Sequence, residues 1–226
     1  LPNKLLLQSG LGERAGSKVS IRLPQRGEKK LMVDKALSNA QQALARKVSE
    51  SASQKALLLE LRNTLKLERF PERIEVYDNS HIQGTNAIGA FIVSGQSGFD
   101  KKEYRTFNIK DENMSPGDDY AMMGEVFRRR FTRLVNKPQL NWPDLILIDG
   151  GKGQLSIVSN VLKDLGVLDR ITLVAIAKGP DRNAGRETFF MNGRDPFTLP
   201  PKTPVLYYLQ RLRDEAHRFA IGTHRS

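Results

Sequence analysis

The chain has 226 residues, no cysteine and a formal net charge of +11 at pH 7, with 39% hydrophobic and 27% charged residues. This composition is typical of a globular chain that buries a core, and it excludes disulfides, thiolate nucleophiles and cysteine zinc sites. The charge favours a polyanionic partner such as nucleic acid; the alternatives are an acidic protein surface as partner or a basic protein that is merely soluble. No apolar run approaches the roughly 20 residues of a membrane span, and the N-terminal leucines are too few for a signal peptide. We therefore expect a cytoplasmic protein with no membrane partner.

The first 70 residues carry no cluster of chemically active side chains. Alternation over Lys18–Leu23 predicts a short strand, and helical spacing of leucine and alanine predicts helix over Leu31–Leu67, with a break near Ser49–Ser53. We predict two parts: residues 1–70 form a lead-in strand and helices that pack on the remainder of the chain, and residues 71–226 form the main domain.

The main domain alternates between strand and helix patterns. Strands are predicted over Ile74–Asp78, Ala87–Ser94, Lys102–Ile109, Leu145–Asp149 and Thr172–Ala177, helices over Tyr120–Val135, Leu155–Leu165 and Val205–Ile221, and a hairpin about Asn192–Gly193. Three strands joined by short turns, then alternating helix and strand, are the layout of a ribonuclease H-like fold. The predicted class is α/β, with a mixed five-stranded sheet flanked by helices and an N-terminal helical lead-in.

Two aspartates follow buried strands of this predicted sheet. Asp149 comes directly after Leu145–Ile148 and before two glycines and a helix, a position where open α/β sheets bind ligands. Asp78 ends the first strand, which lies beside the fourth in this fold, so the two carboxylates would face each other. Such a pair repels unless a proton or cation intervenes, and its oxygens suit Mg²⁺ or Mn²⁺. The alternatives are a helix N-cap for Asp149 and an Asx turn with Ser80 for Asp78.

A histidine and a second pair of acids lie on helices. His217 falls at the border of the apolar stripe of the last helix, where it can reach a site at the sheet edge as a metal ligand or general base. A surface histidine paired with Asp214 is the alternative. Asp118 and Asp119 precede a helix, and we expect one of them to act as its N-cap.

Other nucleotide-binding and catalytic motifs are absent. Gly150–Gly153 lacks the spacing of a phosphate-binding loop and has no serine or threonine after its lysine. A nucleotide-binding domain is therefore disfavoured. Lys152 can still reach a phosphate from a helix N-terminus. Arg128–Arg130 cannot share one helix face, so part of this run is expected to be solvated and part to contact a phosphate backbone.

Four motifs in this order carry a resemblance to a known family. They are Tyr77–Gly84, Pro116–Tyr120, Leu147–Gln154 and Arg213–Ile221. Together they resemble the C-terminal half of the UvrC family, the nuclease subunits of the bacterial UvrABC excinuclease. The resemblance implies a metal-dependent endonuclease domain that cuts damaged double-stranded DNA 5′ to the lesion in nucleotide excision repair. It also implies UvrB as a partner, in a UvrA-dependent assembly.

The resemblance also assigns site residues. The family's essential acids and histidine match Asp78, Asp119, Asp149 and His217, with Asp118 as the cap. Asp78, Asp149 and His217 are the expected ligands of Mg²⁺ or Mn²⁺. Apart from the resemblance, we expect four basic residues to contact phosphate: Lys152, Lys178, Arg182 and Arg213. The resemblance further implies that an N-terminal nuclease and a helix-hairpin-helix pair of the family lie outside this chain. The competing hypothesis is a non-catalytic module of the same fold that docks DNA or another repair subunit.

Overall fold

The computed structural model describes residues 3–82, 86–109, 118–137, 139–179 and 187–223. The helices are α1 (Lys4–Ala15), α2 (Glu28–Leu65), α3 (Asp119–Asn136), α4 (Lys152–Asp164) and α5 (Pro204–Thr223). The strands are β1 (Arg73–Ile82), β2 (Asn86–Gly95), β3 (Gly98–Phe99), β4 (Arg105–Ile109), β5 (Leu145–Asp149), β6 (Thr172–Ala177), β7 (Thr188–Met191) and β8 (Arg194–Phe197). Two 3₁₀ turns cover Lys101–Glu103 and Leu168–Arg170. None of the helices in these ranges is long and apolar enough to cross a membrane.

The chain divides into two compact units, Leu1–Glu50 and Ser51–Ser226. In the first unit, the Asn3 side chain caps α1, and Gly16 ends it with a φ of 62°. The strand predicted over Lys18–Leu23 is wrong, because alternation alone does not form a strand and no described strand pairs with these residues. The predicted break at Ser49–Ser53 is also wrong, since α2 is continuous through it. The division at residue 70, and the packing of residues 1–70 on the main domain, stay predictions.

The second unit contains one mixed sheet. Its strand order is β3-β2-β1-β5-β6-β7-β8, with β4 also paired to β2. β1 is antiparallel to β2 and parallel to β5, and β5 is parallel to β6. These pairings confirm the predicted α/β class and the predicted adjacency of the first and fourth strands.

Within the described residues the sheet has eight strands rather than the five expected. The additional strands are the two-residue β3 and the β7–β8 hairpin, whose turn at Asn192–Gly193 was predicted and in which Gly193 has a φ of 69°. The hairpin joins the sheet because β7 pairs with the otherwise open edge of β6. Lys102 and Glu103, predicted to begin the third strand, lie instead in a 3₁₀ turn.

Each face of the sheet buries its own hydrophobic core. The core on one side joins the sheet to α5 and the end of α2 and includes Leu58, Leu61, Ile74, Val76, Leu145, Leu147, Leu209 and Leu212. The core on the other side joins it to α3 and α4 and includes Tyr77, Ile146, Ile148, Phe127, Phe131, Val158 and Leu162. Because side chains alternate along a strand, Asp78 and Asp149 both lie on the α5 side.

A buried ion-pair network stabilises the α3 side. Glu75 is fully buried and accepts hydrogen bonds from Tyr77 Oη (2.6 Å), Arg73 Nη2 (2.9 Å) and Arg130 Nη2 (2.7 Å). The arginine run is therefore divided. Arg130 belongs to this internal network, whereas Arg128 and Arg129 are exposed. Arg128 and Arg129 are thus solvated, as expected for part of the run. Contact of the run with a phosphate backbone stays a prediction.

A candidate metal centre at the carboxyl edge of the sheet

The register of β1 and β5 sets two aspartates side by side. Tyr77 pairs with Ile148 in the parallel ladder, so the next residue on each strand is Asp78 and Asp149 respectively. Helix α5 packs across this face and presents His217. One ligand atom from each of Asp78, Asp149 and His217 lies within 4.8 Å of the others. The structure thus brings three of the four expected site residues together at one edge of the sheet.

A hydrogen bond joins the helix to the strand. His217 Nδ1 lies 2.9 Å from Asp78 Oδ2, with the Asp78 side chain 7% exposed and the imidazole 51% exposed. The alternative pairing of His217 with Asp214 is wrong, since the imidazole contacts Asp78 instead and the Asp214 carboxylate accepts from Arg213 at 2.9 Å. The half-exposed imidazole can therefore face both the buried carboxylate and a substrate from solvent.

The structural alternatives for the two aspartates also fail. Asp78 does not start a turn, because it pairs with Ala90 inside β1, which continues to Ile82. Asp149 is the last residue of β5, and the N-cap of α4 is Gly151. Neither carboxylate is therefore engaged in the local capping role that its sequence position allowed.

Burial dominates the electrostatics of the pair. Loss of hydration raises the pKa of the Asp78 carboxyl; its hydrogen bond from His217 opposes the shift, and the Asp149 charge adds to it. Burial likewise raises the pKa of Asp149, and the charges of Arg213 and Lys178 oppose it. Ionising both carboxyl groups in this buried position is unfavourable. A bound cation would stabilise both ionised forms, so the pair favours cation binding.

The ion pair between Glu187 and Arg213 was not predicted from the sequence. Glu187, buried just before β7, accepts hydrogen bonds from Gln210 Nε2 (2.8 Å) and Arg213 Nη1 (3.3 Å). This pairing fixes the Arg213 guanidinium close enough to Asp149 to act on its pKa. No sequence signal marked Glu187, because the pair joins residues 26 positions apart and depends on how α5 crosses the sheet.

The start of α3 lies close to the end of β1. Asp118 is the N-cap of α3, as expected, and its side chain accepts from the Ala121 amide at 2.9 Å. Asp119 is exposed in the first turn, and its main-chain carbonyl accepts from Asn79 Nδ2 at 3.3 Å. Among the described residues, the group of closely spaced ligand atoms does not include Asp119. Its catalytic role stays a prediction.

The four expected phosphate contacts differ in accessibility. Lys152 begins α4 and Lys178 follows β6, and both are exposed. Arg213 is buried and ion-paired with Glu187 and Asp214, which makes it a poorer candidate for direct contact. Arg182 lies outside the described residues.

The donor set fits a divalent cation. Two carboxylates and one imidazole match the ligands that Mn²⁺ accepts, and the carboxylate oxygens match Mg²⁺. The three ligand atoms, within 4.8 Å of one another, are close enough to converge on one ion after small side-chain movements. The raised pKa values of both aspartates indicate a pocket that a cation would stabilise.

Comparisons with known proteins agree with this architecture. A family model described as the UvrC RNAse H endonuclease domain matches residues 62–221, and one described as the UvrC Ribonuclease H-like domain matches residues 1–47. The UvrABC system protein C of Chelativorans sp. (strain BNC1) is 56% identical, and the match covers 98% of this chain and 36% of that protein. The same protein of Brucella abortus (strain 2308) is 55% identical, covering 98% and 38%.

The chain thus spans little more than a third of the length of these relatives. Among solved structures, endonuclease V from Streptomyces avermitilis is 15% identical, with a TM-score of 0.42 and coverage of 77% of this chain and 92% of that one. The family model covers most of this chain, including all three residues of the candidate metal centre. The chain belongs to the UvrC RNase H endonuclease domain family.

Proposed function

We propose that this chain is a divalent-metal-dependent DNA endonuclease domain that makes the incision 5′ to a lesion in nucleotide excision repair. The observation that carries the proposal is the convergence of Asp78, Asp149 and His217 within 4.8 Å at the carboxyl edge of the sheet. Membership of the endonuclease domain family supports the reaction class. The preference for the 5′ side of the lesion comes from the family resemblance.

Each side chain of the site has its own proposed role. Asp78 and Asp149 would hold Mg²⁺ or Mn²⁺, and His217, which is half exposed, would complete the site on the substrate side. When bound, the ion would stabilise negative charge and would lower the pKa of a coordinated water. Arg213, fixed by Glu187, helps to keep Asp149 ionised. Asp119 is the proposed fourth residue, and Lys152 and Lys178 the proposed phosphate contacts.

The proposed substrate is damaged double-stranded DNA. The net charge of +11 suits a polyanion. The relatives are components of a UvrABC system, so the proposed partner is UvrB in a UvrA-dependent assembly. The proposed location is the cytoplasm.

The test uses Asp149→Asn in the full-length protein, with partner subunits and a damaged duplex labelled at each end. Asp164→Asn, the same change at an exposed residue at the far end of α4, is the control. We expect Asp149→Asn to abolish the 5′ cut and leave the 3′ cut intact, and Asp164→Asn to leave both. Normal 5′ incision by Asp149→Asn would instead support a non-catalytic docking module. Loss of both cuts would indicate defective assembly.

A further inference from the structure

The ring of Tyr120 occupies the space beside Gly153. A Cβ atom on Gly153 would lie 2.5 Å from Tyr120 Cε1, 2.7 Å from its Oη and 2.8 Å from its Cζ. Unstrained carbon contacts are about 3.5 to 4.0 Å. The phenol ring therefore lies where any other residue at position 153 would place its side chain. Tyr120 nonetheless remains 49% exposed, so burial of apolar surface is not a sufficient reason for this close approach.

This contact joins two helix starts at the edge of the metal centre. Tyr120 follows Asp119 in the first turn of α3, and Gly153 follows Lys152 in the first turn of α4. The contact between the second residues of the two helices therefore sets their first residues, Asp119 and Lys152, on neighbouring turns. Asp119 is the proposed fourth acid, and Lys152 is a proposed phosphate contact.

The first turn of α3 is also hydrogen-bonded to a strand that carries a ligand, since Asn79, the residue after Asp78, donates to the Asp119 carbonyl at 3.3 Å. Helix α4 begins three residues after Asp149, and a hydrogen bond from the Gly151 amide to the Gln154 side chain at 3.0 Å closes its first turn. The start of α3 is thus bonded to β1, and the start of α4 follows β5 directly along the chain.

We propose that Tyr120 is a positioning residue: its ring, seated on Gly153, aligns Asp119 and Lys152 with the Asp78–Asp149–His217 centre so that they act on the same phosphate. The inference rests on the proposed function. Alanine at 153 would displace the ring by about 1 Å and, with it, the first turn of α3 that carries Asp119; a misplacement of about 1 Å at a reacting group can cost about 100-fold in rate.

The same pair of helices offers a matched control. A Cβ on Gly124, in α3, would lie 3.3 Å from Ile157 Cγ2 in α4, a tight contact that a small side-chain shift relieves. Gly124→Ala and Gly153→Ala thus change the same residue type in the same helix pair. Only the second acts on the ring of Tyr120.

The experiment measures 5′ incision by the full-length protein with its partner subunits. We expect Gly153→Ala and Tyr120→Ala each to lower the single-turnover rate about 100-fold. We expect Tyr120→Phe, which keeps the ring, and Gly124→Ala to cut at the parent rate. The double variant Tyr120→Ala/Gly153→Ala should be no slower than Tyr120→Ala, because the added methyl then has no ring to displace.

Two measurements that do not depend on catalysis distinguish a positioning role of Tyr120 from a folding defect in Gly153→Ala. The melting temperature in EDTA should not fall in Gly153→Ala, because the displacement is confined to the first turns of α3 and α4, outside the hydrophobic core, and alanine is the better helix former. Its affinity for Mn²⁺ should equal that of the parent, because the three ligands are untouched. Incision by Gly153→Ala at the parent rate would overturn the inference. A fall in the melting temperature or in the Mn²⁺ affinity of this variant, large enough to account for the lost activity, would overturn it too. If Asp149→Asn also cuts normally, the proposed function fails as well; if it does not, only this inference fails.

Discussion

Replacing Asp149 with asparagine should change the stability of the chain in opposite directions with and without a divalent ion. Ligand oxygens of Asp78 and Asp149 lie within 4.8 Å of each other. Two full charges at that separation repel by roughly 3.5 kcal/mol at an effective dielectric constant of about 20. Arg213, Lys178 and His217 offset part of this cost. Asparagine keeps the shape of the side chain and removes one of the two charges.

In EDTA at pH 7 we therefore expect Asp149→Asn to be the more stable protein, by about 1 kcal/mol, the usual size of a stabilising substitution. For a chain of this length, that gain raises the melting temperature by about 2 to 4 °C. Asp164→Asn, which removes an exposed carboxylate, should show no comparable gain. Differential scanning calorimetry gives both values.

The gain should depend on pH in a definite direction. Burial raises the pKa of both Asp78 and Asp149 in the folded protein above the values in the unfolded chain. A group shifted in this way does not destabilise the fold below its unfolded pKa; the cost grows as the pH rises from the unfolded pKa to the folded pKa and is complete above it. The advantage of Asp149→Asn should therefore vanish below about pH 4, near the ordinary pKa of aspartate.

A divalent ion should reverse the order. An ion that binds only the folded state stabilises it by about 1.4 kcal/mol at ten times its dissociation constant. The parent should gain this amount in Mg²⁺ or Mn²⁺, and Asp149→Asn should gain little. Equal responses of the two proteins to the ion, or a less stable variant in EDTA, would refute the reasoning.

Three further outcomes are expected. Glu75→Ala should lower the free energy of unfolding by about 3 to 5 kcal/mol in urea titrations, because it leaves Arg130 buried without its carboxylate. His217→Ala should weaken Mn²⁺ binding at least about tenfold by calorimetry, with no loss of secondary structure by circular dichroism. Gly89→Ala should cost about 1 to 3 kcal/mol, because its Cβ would overlap the Val126 side chain. Adding Val126→Ala should recover part of that cost.

The sequence was sufficient where burial alone decides the structure. The run Leu145–Ile148 is buried on both faces, and its strand, its helix and the position of Asp149 were predicted correctly. The apolar stripe of α5 placed His217 at its border, which is where the structure has it. These elements are determined by local periodicity, so neighbouring residues contain the necessary information.

The sequence was insufficient where the structure depends on contacts between segments that are distant in the chain. Lys18–Leu23 alternates like a strand, but a strand also needs a partner, and none of the described strands pairs with it. The roles of Glu187 and Arg130 depend on ion pairs between elements that the sequence does not show to be adjacent. The close approach of Tyr120 to Gly153 likewise arises only when α3 and α4 pack together.

The most direct test of the central claim is to locate a bound ion. Crystals of this chain grown or soaked with millimolar Mn²⁺ should give an anomalous difference peak at the Mn²⁺ edge, ligated by Asp78, Asp149 and His217. Asp149→Asn crystals under the same conditions should lack it. A map in which the three side chains are ordered and no ion lies between them would contradict the account.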